Sequence, residues 1–389
     1  MFDAGYFDQT VDRRGTRCEK WDDRAVMAEG GVPLWVADMD FACAPAILDA
    51  LRERAMHPCF GYNLEDAGDE EALISFWKRR HDLAIVPGET QMLPCVITGL
   101  KACVRAFTRP GDAVAILTPV YGPFYSAVSL NGRFVAPVSL IRGDSGRYEL
   151  NLNGLEDALK AGAKMIMMCS PHNPVSRLWS REELTGLACL AKRYGVPMVC
   201  DEIHADFVYA PGRFTSILSV PEARERTVML CSASKTFNIA GLQQAAAVCP
   251  NKEMLEAFRK ELTEAGVVSG NTFAMAAARA AYTACDDWLD GLISYLDGSR
   301  ALVLDWLQAC APRVRVTPIE ATYLAWLDVR PYGLDCARAA EKCFEAGVAL
   351  TGGTFFGAEG EGFMRLNFAC PRSQLREGIE RLGRALERE

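Results

Sequence analysis

The sequence has little of what metal centres and disulfide frameworks are built from. It holds four histidines, and its fifteen cysteines are scattered singly, none of them in a Cys-x-x-Cys pair. Zinc sites and disulfide scaffolds need closer, regular spacing. Several cysteines, including Cys169, Cys200, Cys231 and Cys249, lie inside apolar runs, where cysteine acts as a small buried hydrophobe. They are expected to be reduced packing residues of a cytoplasmic protein. Cations are not in excess, and a formal net charge of −8 gives no general attraction to nucleic acid or to an anionic membrane. No apolar run is long enough to span a bilayer. The opening Met1-Phe2-Asp3-Ala4-Gly5 has no basic region leading into an apolar stretch, so no secretory signal is expected. Neither an internal repeat nor a Gly/Ser-rich or Pro-rich linker divides the 389 residues.

What is present is alternation. Short apolar runs at 113–118, 164–169, 196–200, 227–231 and 245–249 read as buried strands. Helical patterns lie between them, such as 181–194, which ends at Gly195. Strand–helix–strand alternation predicts an α/β fold with a mostly parallel sheet. Toward the C-terminus the rhythm changes. Residues 294–309 and 335–346 read as amphipathic helices, Thr322 to Val329 as a strand, and the stretch after Arg372 as a final helix. This predicts a large domain over 46–285 and a smaller α+β domain formed by 1–45 together with 286–389.

Ligands of open α/β sheets bind beyond the carboxyl ends of the strands. Run 164–169 leads into Ser170-Pro171-His172-Asn173-Pro174, run 196–200 into Asp201-Glu202-Ile203-His204, and run 227–231 into Ser232-Ala233-Ser234-Lys235-Thr236. An Asn, an Asp, a Lys and several hydroxyls thus reach one edge. Singly each has an ordinary explanation: Asp caps helices, Asn-Pro forms turns, and lysines beside serines are common on surfaces. Jointly they are the set that pyridoxal 5'-phosphate requires. Lys235 supplies the amine for an imine with the cofactor aldehyde. Asp201 keeps the ring nitrogen protonated, so that the ring acts as an electron sink. Asn173 donates to the ring's phenolate oxygen, and Ser232 and Ser234 donate to the phosphate. The turn Gly99-Leu100-Lys101 opens a helical pattern whose amides form an anion site. Tyr121, after strand 113–118, is placed to lie against the ring. His172 and His204 both stand beside these residues with no spacing that suggests a metal. Packing is the expected role of His172, while His204 is counted among the cofactor's neighbours.

With these residues in hand, the sequence resembles the fold-type I, class I/II aminotransferase family. Within it the resemblance is to the cystathionine β-lyase branch of MalY/PatB type. It rests on Pro33 to Phe41 (PLWVADMDF), Phe60-Gly61-Tyr62, Cys169 to Val175, Asp201-Glu202-Ile203-His204, Ser234 to Leu242 (SKTFNIAGL) and Met364 to Arg372 (MRLNFACPR). The resemblance implies a seven-stranded, mostly parallel sheet and a homodimer with a shared active site. It also implies that Arg365 binds the substrate α-carboxylate next to Ala37, and that Tyr62 reaches the phosphate of the neighbouring subunit. Three places depart from the family pattern, the first being Leu100-Lys101 after Gly99, where small or β-branched residues are usual. Ser176 stands where a Gly is usual, and Gln243 stands where many relatives carry a phosphate-binding Arg. The activity implied is carbon–sulfur β-elimination from cystathionine or a related S-substituted cysteine. An aminotransferase using the same residues is the alternative, and a non-catalytic regulator that keeps the fold is a distant third.

Overall fold

The computed structural model describes residues 2–23, 25–26, 29–64, 66–267 and 270–388. Its centre is a seven-stranded sheet made of β1 (Thr90–Leu93), β2 (Ala113–Thr118), β3 (Phe134–Ser139), β4 (Met165–Cys169), β5 (Met198–Asp201), β6 (Thr227–Cys231) and β7 (Ala245–Val248). The spatial order is β1-β7-β6-β5-β4-β2-β3. Only β7 runs antiparallel to its neighbours β6 and β1. Strands β4 to β7 are buried at every position, as strands covered on both faces by helices must be. The intervening helix Arg181–Tyr194 begins with a Ser180/Glu183 capping box and ends at Gly195 with φ of 67°.

The expected strands 113–118 and 227–231 coincide with β2 and β6. Strand β5 starts two residues later than expected and ends one later, so Asp201 closes the strand instead of following it. Strands β1 and β3 were not expected from the sequence. Thr90-Gln91-Met92-Leu93 is half polar, and in β3 only Val138 is fully buried. Neither edge strand has the continuous apolar run of the centre. The predicted helix 294–309 is the second half of one helix, Asp286–Cys310.

Order β2-β3 on one side and β4 on the other makes β2/β4 the point where the chain reverses direction across the sheet. A crevice opens at the carboxyl ends of two such strands. It is roofed by a second sheet, Arg315–Val316, Leu324–Asp328, Phe363–Asn367 and Thr351–Gly352 in spatial order, and by the N-terminal segment. Ser176 joins the two layers. It takes the left-handed φ of 53° that glycine would favour, and its hydroxyl meets Thr322 Oγ1 at 2.9 Å. Its carbonyl accepts the Glu320 and Ala321 amides at 3.1 Å each.

Residues 35–41 form a strap along this crevice, and side chains capture its carbonyls in turn. Arg365 Nη2 donates to Trp35 O at 2.9 Å, Asn367 Nδ2 to Val36 O and Asp38 O at 2.6 Å each, and Asn238 Nδ2 to Met39 O and Phe41 O at 2.9 and 2.8 Å. The strap ends in a buried charge cluster. Lys20, with no exposed surface, meets Asp40 at 2.8 Å and Asp38 at 3.5 Å, and Arg13 bridges the same two carboxylates at 2.6 and 2.7 Å. Burial alone would push the Lys20 ammonium down, but Asp40 and Asp38 outweigh it and hold it above its ordinary value.

Removing one partner of a buried ion pair strands the other charge. Lys20→Met should therefore cost about 3 kcal/mol of stability, read as a lower denaturant midpoint at unchanged m-value. A change within about 0.5 kcal/mol would mean that the cluster does not hold the strap.

Candidate active site

Three strand ends and the strap converge. In register, Asp201 pairs with Cys169 of β4 and Leu230 of β6. The segments after those three strands therefore emerge side by side, and Asn173, Asp201 and Lys235 come from neighbouring positions on one edge. Lys235 lies in the short helix Ala233–Thr236, and its Nζ donates to Ala37 O at 2.5 Å. The same carbonyl accepts from Tyr323 Oη at 3.0 Å. Burial pushes the lysine amine down to about 8, partly opposed by Asp38.

Asp201 is 4 % exposed, and its carboxylate accepts the Ile203 amide at 3.0 Å. Among the described residues no cation forms an ion pair with it, and burial raises its carboxyl to about 7. Arg365 is the mirror case. It is 3 % exposed and donates to Asn173 Oδ1 at 3.1 Å, Trp35 O at 2.9 Å and Thr351 Oγ1 at 3.3 Å. Its guanidinium lies 4.8 Å above the Phe356 ring, and its Nε has no partner. Among the described residues no carboxylate pairs with Arg365, and burial lowers it to about 10. A buried cation without an anion and a buried carboxylate without a cation are both expensive in a closed fold. Their coexistence marks a place built to receive charge of both signs.

The remaining expected residues sort by position. Asn173 spends its oxygen on Arg365, which leaves its amide nitrogen as a donor. The single Ser232 proton is shared between Gln244 O at 2.5 Å and Ser234 Oγ at 2.8 Å, and Ser232 Oγ also accepts the Ser234 amide at 2.9 Å. Ser234 keeps its own proton for a ligand. The helix carrying Gly99 begins at Val96, three residues earlier than the sequence reading placed it. Gly99 N already donates to Cys95 O at 3.4 Å, so the amides free at this helix start are those of residues 95–98. Leu100 is buried in the core and Lys101 is partly exposed. Tyr121 is partly buried, with its ring 5.9 Å from Phe355. His204 is buried with Nδ1 unpartnered, and burial, Lys235 and Arg365 together hold it neutral, down to about 3. His172 is a packing residue, with Nε2 at 2.9 Å from Pro119 O and its ring edge-on to Trp179. Tyr62 stands apart, fully exposed on this chain. Gln243 is also exposed.

Sequence reading missed the parts that hold these groups: Tyr323 and Asn238 against the strap, Asn367 beside Arg365, and the Phe355-Phe356 pair. Asn367 lies two residues beyond Arg365 in one strand and so faces the same way, a signal the sequence did carry. The aromatic pair carried none. All fifteen cysteines are unpaired, and the four named from the sequence are buried. Among the described residues no His/Cys/Asp/Glu group has metal-binding geometry, and no helix is long and apolar enough to cross a membrane.

These groups fit a planar cofactor with an aldehyde, a basic ring nitrogen and a phosphate. Such a cofactor would give Asp201 a counter-charge and leave Arg365 for a second anion.

The family model for aminotransferase class I and II matches residues 30–382. The chain is 38% identical to cystathionine β-lyase PatB of Bacillus subtilis, covering 98% of this chain and 99% of that protein. It is 36% identical to the protein MalY of Escherichia coli, covering 99% of each. The crystal structure of cystalysin from Treponema denticola, which contains pyridoxal 5'-phosphate, superposes with a TM-score of 0.94 at 30% identity, covering 100% of this chain and 99% of that one. The C–S lyase of Staphylococcus hominis, also bound to this cofactor, gives 0.91 at 29% identity, covering 98% of each chain.

With Asp201 titrating near 7 rather than at its ordinary 3.8, the cofactor-free protein should lose stability as pH rises between those values. Asp201→Asn removes that loss. At pH 8 the cofactor-free variant should exceed the wild type by up to about 4 kcal/mol, and below pH 4 by nothing. Equal stability of the two proteins at pH 8 would show that the carboxyl is not isolated.

Proposed function

The chain belongs to the class I and II aminotransferase family, and from that membership and the site described above we propose that it is a pyridoxal-phosphate carbon–sulfur β-lyase. It converts an S-substituted L-cysteine and water to a thiol, pyruvate and ammonia, with cystathionine as one candidate substrate. The observation that carries the reading is the buried triplet of Lys235, Asp201 and Arg365, each shifted by burial and none of them in an ion pair among the described residues.

When bound, the cofactor supplies an aldehyde that captures the substrate amine and a protonated ring that accepts the electron pair of the α-carbon. The chain's residues do the rest. Arg365 offers its planar fork to the α-carboxylate, which fixes the α-carbon and limits its rotation. Asp201 presents a carboxylate to the ring nitrogen, and a cation there reverses the burial that raises its own proton affinity. The Lys235 amine, with its proton affinity lowered to about 8, is close to the working range of a general base and takes the α-proton. The β-carbon–sulfur bond then breaks with its electrons on sulfur. Asn173 links the two halves of the site, since its oxygen is held by the carboxylate anchor while its nitrogen is left to donate to the ring oxygen. Tyr121 covers the ring. Ser234 and the free amides of residues 95–98, at the start of Val96–Phe107, receive the phosphate, in place of the Gly99-Leu100-Lys101 amides expected from the sequence. Neutral His204 lines the ring side of the pocket, and Ala37 O flanks the substrate. Residues 46–285 act as the cofactor domain. Segments 1–45 and 286–389 act as the smaller one, a division supported by the break at Cys285 between two helices and by the pairing of Val32–Pro33 with Val348–Ala349.

A homodimer with a shared site completes the reading. Met56, Phe60, Tyr62 and Leu64 are all more than half exposed, with Tyr62 wholly so, and they lie close together in sequence. A patch of this kind is expected to be covered by a second copy, whose phosphate Tyr62 would then reach. Sedimentation should give a dimer at micromolar concentration. A monomer with full activity would remove Tyr62 from the site.

The assay that tests the reaction supplies L-cystathionine or another S-substituted cysteine with and without a keto-acid acceptor. Pyruvate and a free thiol should appear without acceptor. Turnover only in the presence of acceptor would make the protein an aminotransferase. Lys235→Ala should lose the visible absorption of the bound cofactor's lysine adduct together with activity, and normal turnover by that variant would overturn the assignment.

A further inference from the structure

The mouth of the site carries a feature that neither the cofactor nor the carboxylate anchor uses. Phe355 is 49% exposed, whereas Phe356 beside it is fully buried beneath Arg365. An aromatic ring left half in water on an otherwise immobilised segment is a cost unless something covers it. The segment cannot swing the ring inward. Phe356 O is held by the Val120 amide and by Tyr125 Oη, both at 2.9 Å. Gly122 packs so tightly against the turn that a Cβ there would stand 2.9 Å from Phe355 O and 3.0 Å from the ring. Four residues beyond Phe355, Glu359 accepts from Thr118 Oγ1 and Ser139 Oγ, both at 2.6 Å, and so ties the loop to the ends of β2 and β3.

The ring contacts of Phe355 are with Tyr121, at 5.9 Å and 58°, and with Phe356, at 5.1 Å and 84°. Tyr121 marks where the cofactor lies and Phe356 marks where the carboxylate is held, so Phe355 stands at the rim between the two. A substituent on the substrate β-carbon that points out of the crevice runs past it. Among the described residues no cation lies over the Phe355 ring, and Glu359 is already bound by two hydroxyls. This rim therefore offers apolar surface, and the one carboxylate of its loop, Glu359, is turned to the hydroxyls of Thr118 and Ser139.

The geometry points to Phe355 as a specificity-determining residue, forming with Tyr121 an aromatic clamp for the departing sulfur substituent. It selects cysteines whose S-substituent is apolar or aromatic over those, such as cystathionine, whose far end is charged. This rests on the lyase reading and names its substrate class. Apolar contact of this size discriminates by about tenfold.

The test compares S-benzyl-L-cysteine with L-cystathionine as substrates of the wild-type and Phe355→Ala holoenzymes, and adds calorimetric binding of L-homophenylalanine, which has no leaving group. The wild type should favour the benzyl substrate. Phe355→Ala should lower kcat/KM for it by about tenfold through KM, change cystathionine less than about threefold, and weaken L-homophenylalanine binding about tenfold. Equal losses on both substrates, or unchanged selectivity with unchanged L-homophenylalanine binding, overturn the clamp. So does dissociation of the Phe355→Ala dimer, which makes the residue an interface contact. If the wild type releases pyruvate from neither substrate, the lyase reading fails, while the binding measurement still decides whether Phe355 grips an apolar side chain.

Discussion

The Arg365 guanidinium is the point on which this site is assembled. It is buried, carries no carboxylate partner among the described residues, and is held by neutral acceptors on three separate pieces of chain: Asn173, Trp35 O and Thr351. Each is a weaker partner than a carboxylate would be, so the arginine keeps an unspent capacity for an anion. The same three contacts fasten the end of β4, the N-terminal strap and the second sheet to one another. A group that awaits a ligand is thus also a fastening of the fold.

The strap obeys the same economy. An irregular segment buried between two layers must place every carbonyl, or each orphan costs more than a kilocalorie per mole. Here side chains do it: Arg365, Asn367, Asn238, Tyr323 and Lys235 itself. Lys235 is the only one of these that the proposed reaction must release. The Ala37 carbonyl does not lose all its support when that happens, because Tyr323 remains on it. The cluster of Lys20, Arg13, Asp38 and Asp40 ties the far end of the strap by ion pairs that involve none of the three central groups.

Much of this was legible in the sequence, for physical reasons that differ by element. The central strands announce themselves because both faces are buried, which forces continuous apolar runs such as 165–169 and 227–231. Residues at their carboxyl ends could then be read as one site from topology alone. The edge strands β1 and β3 were not legible, since half their positions face polar surroundings and tolerate polar side chains. Nor was the loop from Thr351 to Gly362, whose course is set by close contacts with Gly122, Thr118 and Ser139 from distant parts of the chain. Its long-range partners leave no local pattern. Ser176 is an intermediate case. The sequence marked it as unusual, and only the structure shows that it adopts the left-handed turn and offsets the cost with hydrogen bonds across the layers.

Burial acts on the three central groups in one direction, against charge: it lowers Lys235 and Arg365 and raises Asp201. In the empty site burial opposes the role proposed for Asp201, which must be ionised to meet a ring cation, while Arg365, lowered only to about 10, stays charged at neutral pH. Ligands reverse the opposition selectively. A cationic ring nitrogen would restore the charge on Asp201, and a substrate carboxylate would offset the burial cost of the charge that Arg365 already carries. Neither partner is supplied to Lys235, whose nearest support is an uncharged carbonyl. One low-dielectric pocket would thus hold two fixed ions beside an amine that gives up its proton more readily than an ordinary lysine, with the difference set by which group is given a counter-charge. That division suits elimination and transamination equally, since both begin with removal of the α-proton. What separates them must lie farther out, in the contacts made by the rest of the substrate.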